Sequence, residues 1–255
     1  MSGDLEQIGL GAVDKFLSTW NSRSAAAWAG SLNYPHVRPS PAGPINVADT
    51  REIYINGVDF DQVIATGWDH SEWDYRHVLH VSSSRIHVAG QWSRFNSDNQ
   101  IILSTPIVYI VTRVDGKWGI QCRMASDYAD EETDTTEIQS RGLKLVQDFV
   151  NHQNNANHEA STELLNFPHY AIGNGELNKS ATASDFTLID TPLRIESLMA
   201  VQTGNHAINI AADLSLPDGS LRQAAVHIND REGHLGIQAW SILNPNEESL
   251  SLLSR

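Results

Sequence analysis

Two stretches of the chain share one helical pattern of apolar residues. In the first stretch the apolar positions recur every three or four residues on a polar background, which predicts an amphipathic helix from Leu5 to Trp20. Its apolar face consists of Ile8, Ala12, Val13, Phe16, Leu17 and Trp20. The spacing of Leu10, Val13 and Phe16 returns at Leu143, Val146 and Phe149, so a second helix of the same kind is predicted there.

The same segments continue into a copied motif. LNYPHVR, residues 32–38, returns as LNFPHYA, residues 165–171, and GKWGIQCR, residues 116–123, returns as GHLGIQAW, residues 233–240. Because each motif keeps its distance from the helix or strand beside it, the chain is predicted to be one fold written twice. We place a first domain at residues 1–130, an acidic linker at 131–138 and a shorter second domain at 139–255.

Between the motifs of the first copy the apolar period changes to two, which is typical of strands. Strands are predicted at Trp73 to Ser82, Arg85 to Phe95, Ile101 to Val114 and Lys117 to Ala125. Before them, Ser24 is a predicted N-cap, the segment from Val58 to Gly67 a short helix, and the Pro-His motif a turn. Helices followed by a meander of neighbouring strands predict an α+β fold.

The predicted strands also indicate which faces are covered. Both faces of the segment Ile107 to Thr112 are apolar, so helices cover one face and another sheet covers the other. The second copy supplies that sheet, through a strand at Ala224 to Ile228, which predicts an intrachain pseudo-dimer that could oligomerise further. In the last strand, alternation places Trp118, Ile120 and Cys122 on one face and Gln121 with Arg123 on the other.

Composition narrows the classes of function. A formal net charge of −14 argues against a nucleic-acid partner. The N-terminus has no signal-peptide pattern and no apolar run is long enough to span a membrane, so a cytoplasmic protein without a membrane partner is expected. The sequence shows no phosphate loop, nucleophile elbow or metal motif, and His77 and His80 point to opposite faces of a strand. No metal or cofactor is expected.

Candidate chemistry concentrates in the first copy. His36 and Arg38 follow the Pro-His motif, where the imidazole could act as a base on a substrate held by the guanidinium; His36 could equally bond a helix end. The insert Gly67 to Asp74 contains Trp68 and Trp73 as possible cavity walls, with His70 and Asp74 as a possible proton-transfer pair. In the alternative reading of this insert, the tryptophans are core residues and the polar groups cap the backbone.

The order of two helices, a Tyr-Pro-His motif, GWDHSEWD, VHVAGQWSRFNSDNQ and IVYIVTRVDGKWGIQCR resembles the nuclear transport factor 2-like superfamily, and within it the SnoaL-like cyclases and ketosteroid isomerases. The resemblance implies two tandem cone-shaped α+β domains, each with N-terminal helices packed on a strongly curved antiparallel sheet that encloses a pocket.

Two hypotheses follow from this resemblance. One is an acid/base enzyme of isomerase, dehydratase or cyclase type, acting on a small apolar carbonyl or hydroxyl compound, with His36, His70 and Asp74 as catalytic groups and Arg38, Trp68, Trp73 and Tyr109 binding the ligand. The other is a non-catalytic binding or assembly module. Since the second copy has Ala171 in place of Arg38 and lacks the insert, we expect an open pocket in the first domain only.

Overall fold

The protein forms two tandem α+β units in a computed structural model that describes residues 2–39, 45–127, 133–243 and 249–251. The first unit contains α1 (Ser2–Asn21), α2 (Ala25–Ala29), β1 (Leu32–Arg38), β2 (Asn46–Ala48), α3 (Arg51–Asn56), α4 (Phe60–Ile64), β3 (His70–Ser82), β4 (Arg85–Phe95), β5 (Ile101–Val114) and β6 (Lys117–Ala125). The second contains α5 (Thr136–Asn154), α6 (His158–Thr162), β7 (Leu165–Ile172), β8 (Leu177–Ser180), a 3₁₀ turn (Ala183–Asp185), β9 (Arg194–Thr203), β10 (Ala207–Ser215), β11 (Leu221–Arg231) and β12 (His234–Ile242). A last strand, β13, spans Ser249–Ser251.

The strands form two sheets that repeat one order. The first runs β13-β3-β4-β5-β6-β1-β2 and the second β8-β7-β12-β11-β10-β9. Both sheets are mixed, because β1 runs parallel to β6 and β7 runs parallel to β12, whereas the sequence predicted antiparallel strands alone. The helices of each unit cover one face of its sheet, so the tandem α+β architecture is confirmed.

The predicted apolar face of the first helix is the one that α1 buries. Val13, Phe16, Leu17 and Trp20 are at most 5% exposed and pack in one cluster with residues of β3 to β6. The Ser24 hydroxyl caps α2 by accepting a bond from the Ala27 amide at 3.3 Å. The predicted third helix is shorter than expected and lies at α4, where the Asp59 carboxylate caps the first turn.

The Pro-His motif is part of a strand and not the predicted turn. β1 pairs with β6 only at Leu32 and Val37, and the register shifts between these two contacts. Pro35 lies in this interruption, where its missing N–H costs no ladder bond. The same interruption recurs between Leu165 and Tyr170 in β7.

A β-bulge in β6 overturns the predicted alternation of that strand. Ile110 pairs with Cys122 and Val111 with Ile120, so Gln121 is the extra residue. Beyond the bulge the faces exchange: Ile120 and Arg123 both face the helices, while Cys122 packs on the opposite side. The bulge therefore turns Arg123 toward the helices of the first unit.

The two sheets pack against each other through the faces that the helices leave uncovered. An apolar cluster joins Val108, Ile110, Cys122 and Met124 of the first unit to Ala211, Ala225 and Ala239 of the second. Buried polar side chains also cross the contact. Gln202 donates to the carbonyls of Gly90 and Ile107 at 2.7 and 3.1 Å, and Asn209 donates to the Met124 carbonyl at 2.8 Å.

The end of the chain returns to the first sheet. β13 pairs with His80, Val81 and Ser82 of β3, which the sequence pattern did not predict. Part of the predicted linker, residues 131–132, lies outside the described residues, and α5 begins at Thr136. Within the described ranges, no helix combines the length and apolar character needed to cross a membrane.

The packed faces give a testable consequence for a fragment. Residues 1–130 alone would expose the cluster around Val108 and Ile110, which the second unit covers in the full chain. We expect this fragment to form dimers or larger aggregates in sedimentation experiments. A fragment that stays folded and monomeric at micromolar concentration would show that the contact between the sheets is dispensable.

Candidate functional site

A cavity of about 580 Å³ lies between the helices and the sheet of the first unit. This volume is ordinary for a small-molecule site. Aromatic side chains supply much of its wall, including Trp20, Trp28, Tyr54 and Trp92. Three arginines also border the cavity: Arg38, Arg94 and Arg123.

Arg123 is held from two sides. Its Nε donates to His36 Nε2 at 3.1 Å and its Nη2 donates to the Tyr54 hydroxyl at 2.9 Å. The guanidinium lies over the rings of Phe16 and Trp28, 5.0 and 5.1 Å from their centroids. Since the residue is only 4% exposed, these contacts fix its position rather than leave it to solvent.

Arg38 borders the cavity next to Arg123. Val37 pairs with Cys122, so the following residues of these parallel strands, Arg38 and Arg123, are neighbours. Repulsion by Arg123, followed by burial, lowers the pKa of Arg38 to about 10. Arg38 therefore stays charged at neutral pH. Because the residue is exposed, water screens part of the repulsion from Arg123, and an anion would relieve the rest.

The third guanidinium, that of Arg94, stacks on aromatic rings. It lies 5.1 Å from the centroid of Trp20 and 5.6 Å from that of Trp92. Burial lowers the pKa of Arg94, and its buried Nε has no hydrogen-bond partner.

No acidic side chain neutralises the three arginines among the residues that the structure describes. The ion pairs found there involve Arg23, His70, Arg76, Arg141, Lys144 and Arg194. Asp59 is the one described acidic residue on the cavity wall. Its Oδ1 already accepts the amides of Asp61 and Gln62 at the start of α4. The cavity is therefore strongly cationic within an acidic protein.

Part of the chain matches a family profile. Residues 11–128 match the profile of a family described as NTF2-like protein (DUF6841). This match covers less than half of the chain but most of the first unit, which we therefore call the NTF2-like domain. The match begins within α1 and ends just beyond β6, so it contains all three arginines of the cavity.

Solved structures from several bacteria are similar to about half of this chain. A putative calcium/calmodulin-dependent protein kinase II association domain from Xanthomonas campestris is 17% identical, with a TM-score of 0.37, and the match covers 49% of this chain and 88% of that one. An NTF-2-like protein of unknown function from Shewanella oneidensis MR-1 is 13% identical, with a TM-score of 0.40, and the match covers 50% of this chain and 100% of that one. A domain of unknown function with a cystatin-like fold from Nostoc punctiforme is 16% identical, with a TM-score of 0.38, and the match covers 54% of this chain and 91% of that one. No curated protein sequence matches the chain.

His36 lies at the centre of the NTF2-like domain, with both ring nitrogens engaged. Nδ1–H donates to the Ile120 carbonyl at 3.2 Å, and Nε2 accepts from Arg123. Burial, then Arg123 and Arg38, hold the pKa of His36 well below 6.5, so the ring is neutral. A neutral ring with its lone pair occupied orients Arg123 and has no free nitrogen for a substrate.

His70 and Asp74 lie outside the cavity wall, and they do not form the predicted pair. His70 stacks on Phe95 and approaches the carboxylates of Asp69 and Glu72 at 3.1 and 3.8 Å. Asp74 instead accepts bonds from Gln91 and Ser93 at 2.9 and 2.8 Å. Each carboxylate and imidazole thus has a separate set of neighbours.

The predicted aromatic walls lie behind the cavity rather than on it. Trp68 is 2% exposed, donates to the Ser71 hydroxyl at 2.9 Å and packs 4.9 Å from Trp20. Trp73 and Tyr109 contact each other at 5.9 Å between ring centroids. Of the seven predicted site residues, Arg38 alone borders the cavity, and His36 acts on it through Arg123.

The second unit has apolar residues in place of all three arginines. The copied motifs align Arg38 with Ala171 and Arg123 with Trp240. The hairpin bonds Asn96 N to Gln100 O and Leu216 N to Ser220 O align Arg94 with Leu214. His169 keeps the bond to the strand carbonyl, at 3.1 Å from Ile237 O, but its ring now packs 4.4 Å from the Trp240 ring.

The expectation of an open cavity in the first domain only is wrong. Two further cavities, of about 970 and 790 Å³, lie on the second unit. The smaller one is bordered by His169, Ala171 and Trp240, so it corresponds to the cationic cavity but has no counterparts of Arg38, Arg94 and Arg123. Other charged residues border it instead: Arg85, Lys179 and Arg222, together with Glu176 and Asp185. The two units therefore differ in how charge is arranged and not in whether a cavity exists. Cations and carboxylates occur together on the wall of the second cavity, whereas Asp59 is the one described acidic residue beside the three arginines of the first. Across the described part of the chain, no three His, Cys, Asp or Glu side chains are grouped as a metal site requires.

Proposed function

We propose that the NTF2-like domain binds a small organic anion, a carboxylate with an apolar body, in the cavity bordered by Arg38, Arg94 and Arg123. The observation that carries this proposal is the set of three guanidiniums without an acidic partner among the described residues. The aromatic wall around them suits the apolar body of the ligand.

The energetics favour a ligand over a purely structural role. Arg123 is buried without a counterion among the described residues, which is costly, and the neighbouring charge of the exposed Arg38 raises that cost. The second unit is built on the same strand order with Ala171, Leu214 and Trp240 at these positions, so the fold does not require the arginines. An unpaired cluster of this kind is typical of a functional site.

Of the two functional hypotheses, the geometry favours non-catalytic binding. General acid/base catalysis needs a titratable group with a free proton or lone pair within hydrogen-bond reach of the substrate. His36 has neither, and His70 and Asp74 lie off the cavity wall. The second unit then acts as the structural partner of the binding domain.

The proposal is tested by titrating the full chain with benzoate and following tryptophan fluorescence, since Trp20, Trp28 and Trp92 border the cavity. Replacing Arg38 by Ala removes charge-assisted bonds to the carboxylate, so we expect affinity to fall roughly tenfold to a hundredfold. Two control variants, Arg113→Ala on the exposed part of β5 and His169→Ala in the second unit, should bind like the wild type.

Two results would contradict this proposal. The first is that benzoate and longer aromatic carboxylates all leave the fluorescence unchanged at millimolar concentration. The second is that Arg38→Ala and Arg113→Ala weaken binding equally, which would indicate attraction by overall charge and no defined site. Thermal melting of each variant checks that the fold is intact.

A further inference from the structure

The three arginines of the cavity form a close pair and a separate third cation. Arg38 and Arg123 lie on the neighbouring strands β1 and β6. Arg94 lies on β4, which is separated from β6 by β5. It pairs with Leu103, whereas Arg123 pairs with Tyr109, so the two positions also differ along the strands.

An aromatic surface lies between the pair and the third cation. Arg123 Cζ is 5.1 Å from the Trp28 ring centroid, and Arg94 Cζ is 5.1 Å from that of Trp20. The two tryptophan rings contact each other with centroids 4.6 Å apart. All four residues border the same cavity, so one ligand can touch both cationic ends and the surface between them.

The electrostatics agree with this separation. The pKa of Arg38 is lowered mainly by Arg123, and Arg94 is the weakest of the groups that act on it. The pKa of Arg94 is lowered by burial alone. A single carboxylate at the Arg38–Arg123 pair would therefore leave the Arg94 guanidinium without a counterion.

We propose that the ligand is a dianion with a charged group at each end of an apolar chain, that is, an α,ω-dicarboxylate or a molecule of the same charge pattern. This inference rests on the proposed function. One carboxylate lies between Arg38 and Arg123, the other bonds Arg94, and the chain packs on Trp20 and Trp28. Guanidinium and carboxylate form two parallel hydrogen bonds, which fixes the ends of such a ligand.

The test uses the full-length protein and a series of dicarboxylates from succinate to sebacate, titrated by tryptophan fluorescence. Affinity should peak at one chain length. At that length, the monomethyl ester keeps the size and apolar chain but removes one charge. We expect the ester to bind about tenfold more weakly or worse, because one charge-assisted contact is lost.

Arg94→Gln separates the two ends. In this variant the dicarboxylate should bind only as tightly as its monomethyl ester. The affinity of the ester itself should change by less than about threefold, because its carboxylate binds at the intact Arg38–Arg123 end. Arg38→Ala should weaken both ligands. Thermal melting confirms that each variant is folded.

The outcomes are distinct. If the dicarboxylate and its ester bind the wild type equally, or if Arg94→Gln weakens both alike, the dianion proposal is wrong while anion binding stands. If neither ligand binds the wild type at millimolar concentration, the proposed function fails as well.

Discussion

Stability should fall steeply as the pH is lowered from 7 to 5. Five histidines, His36, His80, His87, His169 and His227, are at most 1% exposed. Burial is the largest cause that lowers the pKa of each, to about 4 for His80 and His169 and about 3 for His227, and well below 6.5 for His36 and His87. The native protein therefore keeps these rings neutral at a pH where the unfolded chain protonates them.

The sign follows from proton linkage. Above the unfolded pKa of about 6.5, such a histidine is neutral in both states and the protein has its full stability. As the pH falls below that value, the unfolded chain binds a proton that the native protein does not, so the free energy of unfolding decreases. Between pH 7 and 5 the loss is about 2 kcal/mol for each ring. Five rings together lose an amount comparable with the whole stability of an ordinary protein, about 5–15 kcal/mol.

Urea unfolding at a series of pH values measures this effect. His169→Gln should reduce the slope of unfolding free energy against pH by about 1.4 kcal/mol per pH unit, the value for one proton. His206→Gln, a change at an exposed ring, is the matched control and should leave the slope unchanged. A flat profile from pH 7 to 5 would mean that the buried rings are protonated in the native state or accessible to water.

Arg85→Met should destabilise the protein more than other arginine substitutions. Arg85 is 6% exposed, and its Nη1 donates to the Ile172 carbonyl, the Ser241 hydroxyl and the Ile242 carbonyl at 3.0, 3.1 and 2.8 Å. These bonds join β4 of the first unit to β7 and β12 of the second. Methionine fills a similar volume but removes all three bonds; of the acceptors, the Ser241 hydroxyl keeps a bond with His87 Nε2 at 2.9 Å.

We expect Arg85→Met to lower the free energy of unfolding by about 3 kcal/mol or more, since hydrogen bonds from charged groups contribute about 1.5–3 kcal/mol. Arg76→Met is the control: its ion pair with Asp14, at 2.6 Å, lies at a partly exposed site and should contribute less than about 1 kcal/mol. Equal losses in the two variants would show that the junction does not depend on Arg85.

Much of the fold follows from local patterns. The last three strands of the first unit begin and end where apolar alternation places them, and the face of α1 that packs on the sheet is the predicted one. These features depend on neighbours in sequence, which the pattern records. The copied motifs likewise predicted a second unit with the same strand order.

The site was harder to predict, because it depends on the bulge. Simple alternation places Arg123 with Gln121 and away from Ile120, but the bulge at Gln121 reverses this. One signal was present: GIQCR and GIQAW differ by Arg against Trp at an otherwise matched position. Arg94 has no comparable signal, since its place on the cavity wall depends on how α3 and α4 pack.

The insert from Gly67 to Asp74 shows the reverse case, in which the sequence indicated site residues that lie away from the cavity wall. It is rich in groups suited to chemistry, yet Trp68 is part of the core and His70 and Asp74 have partners outside the cavity. Simple alternation would place His70 and Asp74, four residues apart, on one face of β3. The register shift between Trp73 and Tyr75 interrupts this alternation at Asp74. Arg38, at the end of a copied motif but absent from the copy, was the more informative residue.

The central claim is that the first unit binds an organic anion at its arginines and the second does not. A crystal of the full chain soaked with 4-bromobenzoate tests it directly, because anomalous scattering locates the bromine without bias. We expect one peak in the cavity of the NTF2-like domain, with the carboxylate bonded to Arg38 and Arg123, and no peak beside Trp240. A peak at the second cavity alone, or a bromine in the first cavity with its carboxylate turned away from the arginines, would contradict the account.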